Sequence, residues 1–118
     1  MGVVGPCGAG KSTLIAGLKR HSIQGRHIAQ EHSYVPHMWQ RIVKPDVLIY
    51  LSASFEVCTQ RRRLKWMEAD YLEQLRRLEH ARAHADLLIE TDNLPAEAVL
   101  ARALAFLNDQ TDYAAHSP

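Results

Sequence analysis

The sequence predicts an α/β fold of three layers, in which helices cover both faces of a mostly parallel sheet of about four strands. Three observations lead to this prediction. Short apolar runs alternate along the chain with longer segments of helical periodicity. The run at residues 47–51 is apolar without interruption, as in a strand that is covered on both faces. A chain of 118 residues, 47% of them hydrophobic, has the length and the apolar content for one core.

The first elements are a strand, a loop and a helix. Residues 1–4 form an apolar run and predict a buried strand that is shorter than the usual length of about five or six residues. Residues 5–10 contain three glycines and a proline, which predict a loop. Residues 11–20 predict a helix, because apolar residues recur at helical spacing and the last turn is basic, where the helix dipole favours cations.

The middle of the chain predicts two strands with a short helix between them. Residues 26–31 are a weak strand candidate. Pro36 fits the first position of a helix that reaches Ile42 and ends before Pro45, since the residue preceding proline disfavours helical angles. Residues 47–51 are the clearest strand of the chain.

Two helices are predicted after this strand. Ser54 is placed to cap a helix over residues 55–65, and Asp70 with Glu73 has the spacing of a capping box for another helix that reaches His84.

The last part of the chain predicts a strand, a helix and a tail. Residues 87–89 form the strand, and Pro95 opens the helix. The buried face of this helix is predicted at Val99, Leu100, Ala103, Leu104 and Leu107. We therefore expect one domain over residues 1–107 and a polar, flexible tail over residues 108–118.

Charge and composition argue against several partners. The formal net charge is +1 and the sequence pI is about 7.9, so no overall field draws the protein to nucleic acid or to an anionic membrane. No apolar run has the length to span a bilayer, and Met1 leads directly into a glycine-rich loop. These features predict a cytoplasmic protein.

The two cysteines are predicted to be free thiols. Cys7 and Cys58 lie in segments of different kinds and form no CxxC pair. This arrangement argues against a disulfide framework and against a zinc motif.

The strongest motif lies in the first loop. Residues 5–12, GPCGAGKS, match the Walker A pattern GxxxxGK(S/T) at every fixed position, between an apolar strand and a helix. Glycines let the backbone curl so that successive N–H groups face an anion, and the helix N-terminus adds partial positive charge. The motif therefore predicts binding of a nucleoside triphosphate, with MgATP favoured. The alternative is a glycine-rich turn that happens to precede a helix.

The motif assigns a role to each position. Lys11 is predicted between the β- and γ-phosphates, the Ser12 hydroxyl as a ligand of Mg²⁺, and Thr13 near the α-phosphate. A thiolate at Cys7 would be favoured by the surrounding N–H groups, although a tolerated small residue explains Cys7 more simply. The residues predicted to bind nucleotide here are Gly5, Pro6, Cys7, Gly8, Ala9, Gly10, Lys11, Ser12 and Thr13.

Three segments together resemble a known superfamily. They are the loop GPCGAGKST, the segment at residues 45–63 with its strand and arginine-rich helix, and the segment at residues 85–97 with the last strand and Pro95. The sequence resembles the small P-loop kinases, which include adenylate, shikimate, gluconate and thymidylate kinases. This resemblance implies a P-loop nucleoside triphosphate hydrolase fold with reduced kinase-like topology, and ATP and Mg²⁺ as cofactors.

The resemblance also implies roles for residues outside the loop. Arg61 would stack on the adenine or contact phosphate, and Arg62, Arg63 or Lys65 would neutralise the transferring group. The alternative for this basic run is a solvated helix face. The loop at residues 91–93 borders the base in that family, so Asn93 is predicted to contact nucleotide, with helix capping as the competing role.

The sequence departs from these kinases in its acidic residues. Too few residues lie between the strand candidate at residues 26–31 and Pro45 for another strand and crossover, so one of the usual five strands is predicted to be absent. Asp46 and Asp86 precede their strands and are poor candidates for Mg²⁺. Glu31 follows the second strand and is the predicted stand-in acid or acceptor contact, although a plain loop glutamate explains it equally well.

Aromatic and basic residues mark where an acceptor would bind. The segment between Glu31 and Pro45, where an acceptor site would have to be built, contains His37, Trp39 and Arg41. Trp39 fits a core position equally well. His80 and His84 have the spacing of a zinc pair, but no third ligand lies near in sequence, so we expect them on a solvated helix face.

Two functions follow from these observations. The first is a small-molecule kinase that transfers the γ-phosphoryl group of MgATP to an unknown small acceptor, with Lys11, Arg61, Arg62 and Glu31 as its catalytic residues. The alternative is a nucleotide-binding module or slow NTPase with a regulatory role and no acceptor. The sequence leaves the oligomeric state open, a homodimer included.

Overall fold

The computed structural model describes residues 1–42, 46–62 and 66–116, with side chains described at all of these positions except Ile42 and residues 110–116. The elements follow in this order: β1 (Gly2–Val4), α1 (Lys11–Arg20), β2 (Arg26–His27), a 3₁₀ turn (Gln30–His32), α2 (Met38–Ile42), β3 (Leu48–Ser52), α3 (Phe55–Arg62), α4 (Glu68–His84), β4 (Leu87–Glu90) and α5 (Ala96–His116).

The four strands form one parallel sheet in the order β2-β1-β3-β4. Val3 of β1 lies opposite Ile49 of β3, and Ile49 lies opposite Leu87 of β4. Strands and helices alternate along the chain, as parallel pairing requires. The predicted α/β fold with a sheet of about four parallel strands is confirmed.

Side chains of the central strand β3 alternate between two core clusters, because successive residues of a strand point to opposite faces. Ile49 and Leu51 pack in the first cluster, together with side chains from α1 and α5. Leu48 and Tyr50 pack in the second cluster with side chains from α2 and α4. Helices therefore cover both faces of the sheet, which is compatible with the predicted three layers.

The strand order reverses direction at β1. The chain passes from β1 to β2 on one side and then to β3 on the other side of β1. In open α/β sheets, such a reversal leaves a crevice outside the carboxyl ends of the strands. The glycine-rich loop at residues 5–10 follows β1 at this edge, and the 3₁₀ turn follows β2.

The second strand is shorter than predicted. The strand candidate at residues 26–31 forms pairs only at Arg26–His27, and the chain then enters the 3₁₀ turn. The buried side chain of Gln30 stabilises this turn, since its amide donates to the carbonyls of Val35 at 2.8 Å and Arg77 at 3.2 Å. Glu31 consequently lies in the turn and not in the strand.

Two predicted helix starts are wrong and one cap is confirmed. The helix expected at Pro36 begins at Met38. The helix expected to be capped by Asp70 begins at Glu68, and Asp70 accepts a hydrogen bond from the Met67 N–H at 2.9 Å from inside the first turn. Ser54 does cap α3, because its Oγ accepts the Val57 N–H at 3.3 Å.

The last helix continues beyond its predicted end. We expected it to stop near Leu107, and α5 reaches His116. Residues 108–116 are polar but contain neither glycine nor proline, the two residues that end helices most strongly. The predicted buried face is confirmed, with Val99 and Ala103 in the first core cluster and the three leucines packed against it.

Trp39 belongs to the core and not to an acceptor site. It is 5% exposed and lies in the second core cluster, and its Nε1 donates to His80 Nδ1 at 3.1 Å. The rings of His80 and His84 stack with their centroids 4.3 Å apart, and His37 meets His80 edge-on. His84 is exposed as predicted and His80 is half-buried, and both rings belong to a cluster on the edge of the core.

This cluster predicts a loss of stability in acid. Burial, together with His84 and His37, lowers the pKa of His80 below its ordinary value near 6.5. The folded state then binds fewer protons than the unfolded state, so stability is complete above about pH 6.5 and falls as the pH decreases. Protonation at Nδ1 also removes the acceptor for Trp39, which costs about 1 kcal/mol. Urea unfolding at a series of pH values measures how the free energy of unfolding changes with pH.

His80→Asn keeps an acceptor near the position of Nδ1 but does not titrate, so its stability should fall less between about pH 7 and pH 5. His21→Asn changes an exposed histidine outside the cluster and should keep the wild-type dependence. An unchanged pH dependence in His80→Asn would contradict this assignment.

Candidate functional site

The glycine-rich loop enters α1 without a side-chain cap. Gly10 is the N-cap residue, with φ of 101° in the left-handed region, and none of the described side chains caps the helix there. The first N–H groups of a helix have no intrahelical acceptor, and here Lys11, Ser12 and Thr13 carry them. This end of α1 therefore carries partial positive charge and hydrogen-bond donors suited to an anion.

Two glycines let the loop approach neighbouring backbone closely. A Cβ atom at Gly5 would overlap the carbonyl oxygen of Leu51 at the end of β3. A Cβ atom at Gly8 would lie 2.7 Å from the carbonyl oxygen of Cys58 in α3, and Gly8 has φ of 86°. The loop thus packs directly on the end of β3 and on α3.

Lys11 points back into the loop. Its side chain is 7% exposed, and its ammonium donates to the carbonyls of Gly5 and Pro6 and to the carboxylate of Glu31. The loop carbonyls and Glu31 therefore hold the buried charge at the base of the crevice.

Glu31 is the acidic partner that the 3₁₀ turn brings to Lys11. The residue is 1% exposed; its Oε2 accepts from Lys11, and its Oε1 has no hydrogen-bond partner among the described residues. His27 Nε2 lies 3.8 Å from Oε2 of Glu31. The pKa of His27 is lowered mainly by burial and, to a smaller extent, by the charge of Lys11. Arg77 of α4 donates to the Glu31 carbonyl at 3.3 Å and fixes the turn.

Cys7 is bound by a side chain from α4. Its N–H donates to Gln74 Oε1 at 3.0 Å, and Gln74 Nε2 donates to its sulfur at 3.3 Å. The Cys7 sulfur also lies 3.6 Å from His32 Nε2. The N–H of Cys7 is thus engaged within the protein, which corrects the expectation that it faces a bound anion. The prediction of free thiols is confirmed for Cys7 and for the buried Cys58.

Arg61 joins three parts of the crevice. Its guanidinium donates to the hydroxyl of Thr91 at 2.9 Å and to the Thr91 carbonyl at 2.6 Å. Longer contacts of 3.4 Å reach the carbonyls of Gly8 and Ala9 in the loop. Arg61 therefore links α3 and the loop to the end of β4. Arg63 and Lys65, predicted beside it, lie outside the described residues.

Two cavities border the loop. The first, of about 330 Å³, is lined by Cys7, Gly8, Gly10, Lys11, Ser12, Thr13, His27, Glu31, His32, Arg61 and Arg62. The second, of about 210 Å³, is lined by Ala9, Gly10, Thr13, Leu14, Arg61, Thr91, Leu94, Ala96 and Val99. Gly10, Thr13 and Arg61 line both cavities, so the two are adjacent on either side of Arg61.

The structure brings most of the predicted site residues together. The four residues predicted as catalytic, Lys11, Arg61, Arg62 and Glu31, all line the first cavity. Asn93 is exposed and lines neither cavity, so it lies apart from the other residues predicted to bind nucleotide. From the segment after β4, Thr91 and Leu94 line the second cavity instead. The expectation that Asp86 lies at the amino ends of the strands is confirmed, because it accepts the Leu48 N–H at 2.7 Å.

Sequence reasoning assigned no role to His27, His32 or Gln74, although His32 directly follows the predicted Glu31. Gln74 contacts Cys7 across 67 positions of the chain, and no local pattern indicates such a contact. His27 has a positional signal, since it ends β2 at the same sheet edge as the loop.

The fold and the site together define an α/β protein with an anion-suited loop between a buried strand and a helix. Comparison of the sequence with models of protein families gave no match, and comparison with curated proteins gave no significant match. Within the described ranges, none of the helices combines the length and apolar character that crossing a membrane requires.

Proposed function

We propose that this protein binds MgATP in the first cavity and transfers its γ-phosphoryl group to a small acceptor. The observation that carries the proposal is Lys11, a lysine 7% exposed at the first position of α1, held by the carbonyls of the preceding loop. A buried ammonium beside uncapped helical N–H groups is a site for a polyanion.

Charge in the two cavities supports the proposal. Arg61 and Arg62 line the first cavity with Lys11, and Glu31 offsets the charge of Lys11, so the described charged side chains of the lining leave a net positive charge. Catalysis of phosphoryl transfer depends on such positioning and on neutralising the charge of the transferring group. The smaller cavity beside Arg61 has the apolar walls Leu94 and Val99, which suit the base of a nucleotide.

The residues present fit Mg²⁺. Ser12 is exposed at the first turn of α1 and lines the first cavity, and the Oε1 atom of Glu31 is a buried carboxylate oxygen without a partner among the described residues. Hydroxyl and carboxylate oxygens are ligands that Mg²⁺ prefers. Ser12 and Glu31 would hold the ion, which neutralises phosphate charge when bound.

A nucleotide-binding module or slow NTPase without an acceptor is the second candidate. Trp39, which the sequence placed equally well in an acceptor site or in the core, is buried in the core. Arg61 is also engaged by Thr91 and the loop. Both observations favour binding without transfer.

The first experiment is calorimetry with ATP in the presence and absence of Mg²⁺. Lys11→Ala should weaken binding by about 10- to 100-fold, because a hydrogen bond to a charged group contributes about 1.5–3 kcal/mol. Ser12→Ala should weaken binding only when Mg²⁺ is present. Lys19→Ala removes an exposed lysine from the other end of the same helix and should bind as the wild type does.

Circular dichroism should establish that each variant is folded at the temperature used. Absence of ATP binding by the wild-type chain, or equal binding by a folded Lys11→Ala variant, would refute the proposal.

Release of ADP with a panel of sugars, nucleosides, nucleotides and hydroxy acids then separates the two candidates. Release that depends on one acceptor supports a kinase, and release indifferent to all of them supports the module.

A further inference from the structure

Three side chains with metal-binding atoms meet at the edge of the first cavity. They are Cys7 from the loop and Glu31 and His32 from the 3₁₀ turn, and their ligand atoms all lie within 4.8 Å of one another. The Cys7 sulfur and His32 Nε2 are 3.6 Å apart. In a tetrahedral zinc site, sulfur at about 2.3 Å and nitrogen at about 2.0–2.1 Å from the metal are separated by roughly 3.5 Å. This pair is therefore already at the spacing of two zinc ligands.

The third side chain lacks a partner for one oxygen. Glu31 is 1% exposed, and Oε1 accepts no hydrogen bond from any residue that the structure describes. A buried carboxylate oxygen without a partner is costly, because burial removes its water and nothing replaces it. Lys11 contacts Oε2, and a cation bound by the Glu31 carboxylate beside Cys7 and His32 would offset this cost.

We propose that Cys7, Glu31 and His32 form a binding site for a divalent transition metal of the Zn²⁺ class. The ligand set of thiolate, imidazole and carboxylate suits zinc and its neighbours, whereas Mg²⁺ takes oxygen ligands and does not select thiolate. Three protein ligands leave a fourth position open toward the cavity, as in zinc sites that admit water or substrate.

Neighbouring residues hold two of the ligands in place. Gln74 Nε2 donates to the Cys7 sulfur at 3.3 Å, and Lys11 donates to Glu31 Oε2. Such hydrogen bonds orient ligands and stabilise the thiolate that binds metal. Binding deprotonates the Cys7 thiol, so one proton is released as the sulfur–metal bond forms.

This inference does not rest on the proposed nucleotide binding, but it uses the same Glu31 carboxylate that was proposed for Mg²⁺, so the two ions would compete for it. Its ligands come from a loop residue and from the 3₁₀ turn, and the test is made without nucleotide. The sequence offered no signal for the site, because Cys7 and the Glu31-His32 pair lie 24 or more positions apart and form no zinc motif.

The test is titration of the reduced, full-length chain with Co²⁺ and Zn²⁺. Co²⁺ should produce a thiolate-to-cobalt charge-transfer band, and Zn²⁺ should remove it by displacement. Cys7→Ser should abolish the band while keeping an acceptor for Gln74. His32→Ala, at an exposed position, should weaken Zn²⁺ binding by at least about tenfold. His21→Ala removes an exposed histidine elsewhere and should bind as the wild type does.

Loss of the band in Cys7→Ser, together with weaker Zn²⁺ binding in folded His32→Ala and unchanged binding in His21→Ala, establishes the site. A wild-type chain that takes up neither metal overturns it. A charge-transfer band that persists in Cys7→Ser also overturns the site, because it would assign the thiolate to Cys58. Zn²⁺ binding that is unchanged in His32→Ala overturns it as well. Because nucleotide is absent throughout, failure here leaves the proposed ATP binding unaffected.

Discussion

Lys11→Met is expected to lower the free energy of unfolding by about 3–5 kcal/mol, because it leaves the buried charge of Glu31 without its partner. Lys11 and Glu31 are 7% and 1% exposed and form an ion pair at the base of the crevice. Methionine retains the side chain as far as the ε-carbon and removes the ammonium group with its charge and its donors. Urea denaturation at neutral pH measures the change.

A double-mutant cycle isolates the pair. Glu31→Gln alone should also destabilise the protein, since it leaves the ammonium of Lys11 buried, whereas the double variant should regain part of the loss. Lys19→Met, at an exposed position of the same helix, should change stability by less than about 0.5 kcal/mol. Additive effects of the two single changes would show that Lys11 and Glu31 are not coupled.

Gly8→Ala is expected to destabilise the protein by about 2–4 kcal/mol, the second-largest effect that the site predicts. Its φ of 86° disfavours a side chain by about 1–2 kcal/mol, and a methyl group would lie 2.7 Å from the carbonyl oxygen and 2.9 Å from the Cα of Cys58. These are backbone atoms of α3, so relief requires the loop and the helix to separate, at a cost typical of overpacking.

Gly10→Ala is the matched control. Gly10 also has a left-handed φ of 101°, but a Cβ atom there meets none of the described atoms within 4 Å. It should therefore cost only the conformational strain of about 1–2 kcal/mol. Thermal and urea unfolding of the two variants compare them directly, and equal losses would contradict the close contact between Gly8 and α3.

The fold could be predicted from the sequence to a large extent because its signals are local. The helix at Lys11–Arg20 has the predicted bounds, and the strand expected at residues 47–51 lies at Leu48–Ser52. Apolar runs identify strands that are buried on both faces, and helical periodicity identifies a face that packs on the sheet.

The errors lie where local propensity and tertiary contacts disagree. The candidate strand at residues 26–31 ends at His27, because the buried Gln30 side chain donates hydrogen bonds to the carbonyls of Val35 and Arg77 and stabilises a turn there. From the sequence Trp39 fits an acceptor site and a core position equally well, and the structure places it in the core with its Nε1 satisfied by His80. Neither partner could be identified from spacing along the chain.

Local patterns along the chain specify the alternation of strands and helices, the glycine-rich loop after β1 and the position of Lys11 at the start of α1. These features depend on residues that are neighbours in the chain, so periodicity and backbone preferences are sufficient to predict them. The assignment of a triphosphate to that loop remains a prediction from the same local motif.

The surroundings of Lys11, by contrast, are set by contacts between distant parts of the chain. Reversal of strand order at β1 brings the turn after β2 beside the loop, which pairs Lys11 with Glu31 and places Cys7 next to His32. Packing of α4 then adds Gln74. Such contacts depend on how the elements fold onto the sheet, because burying their apolar faces sets which distant polar residues meet at its carboxyl edge.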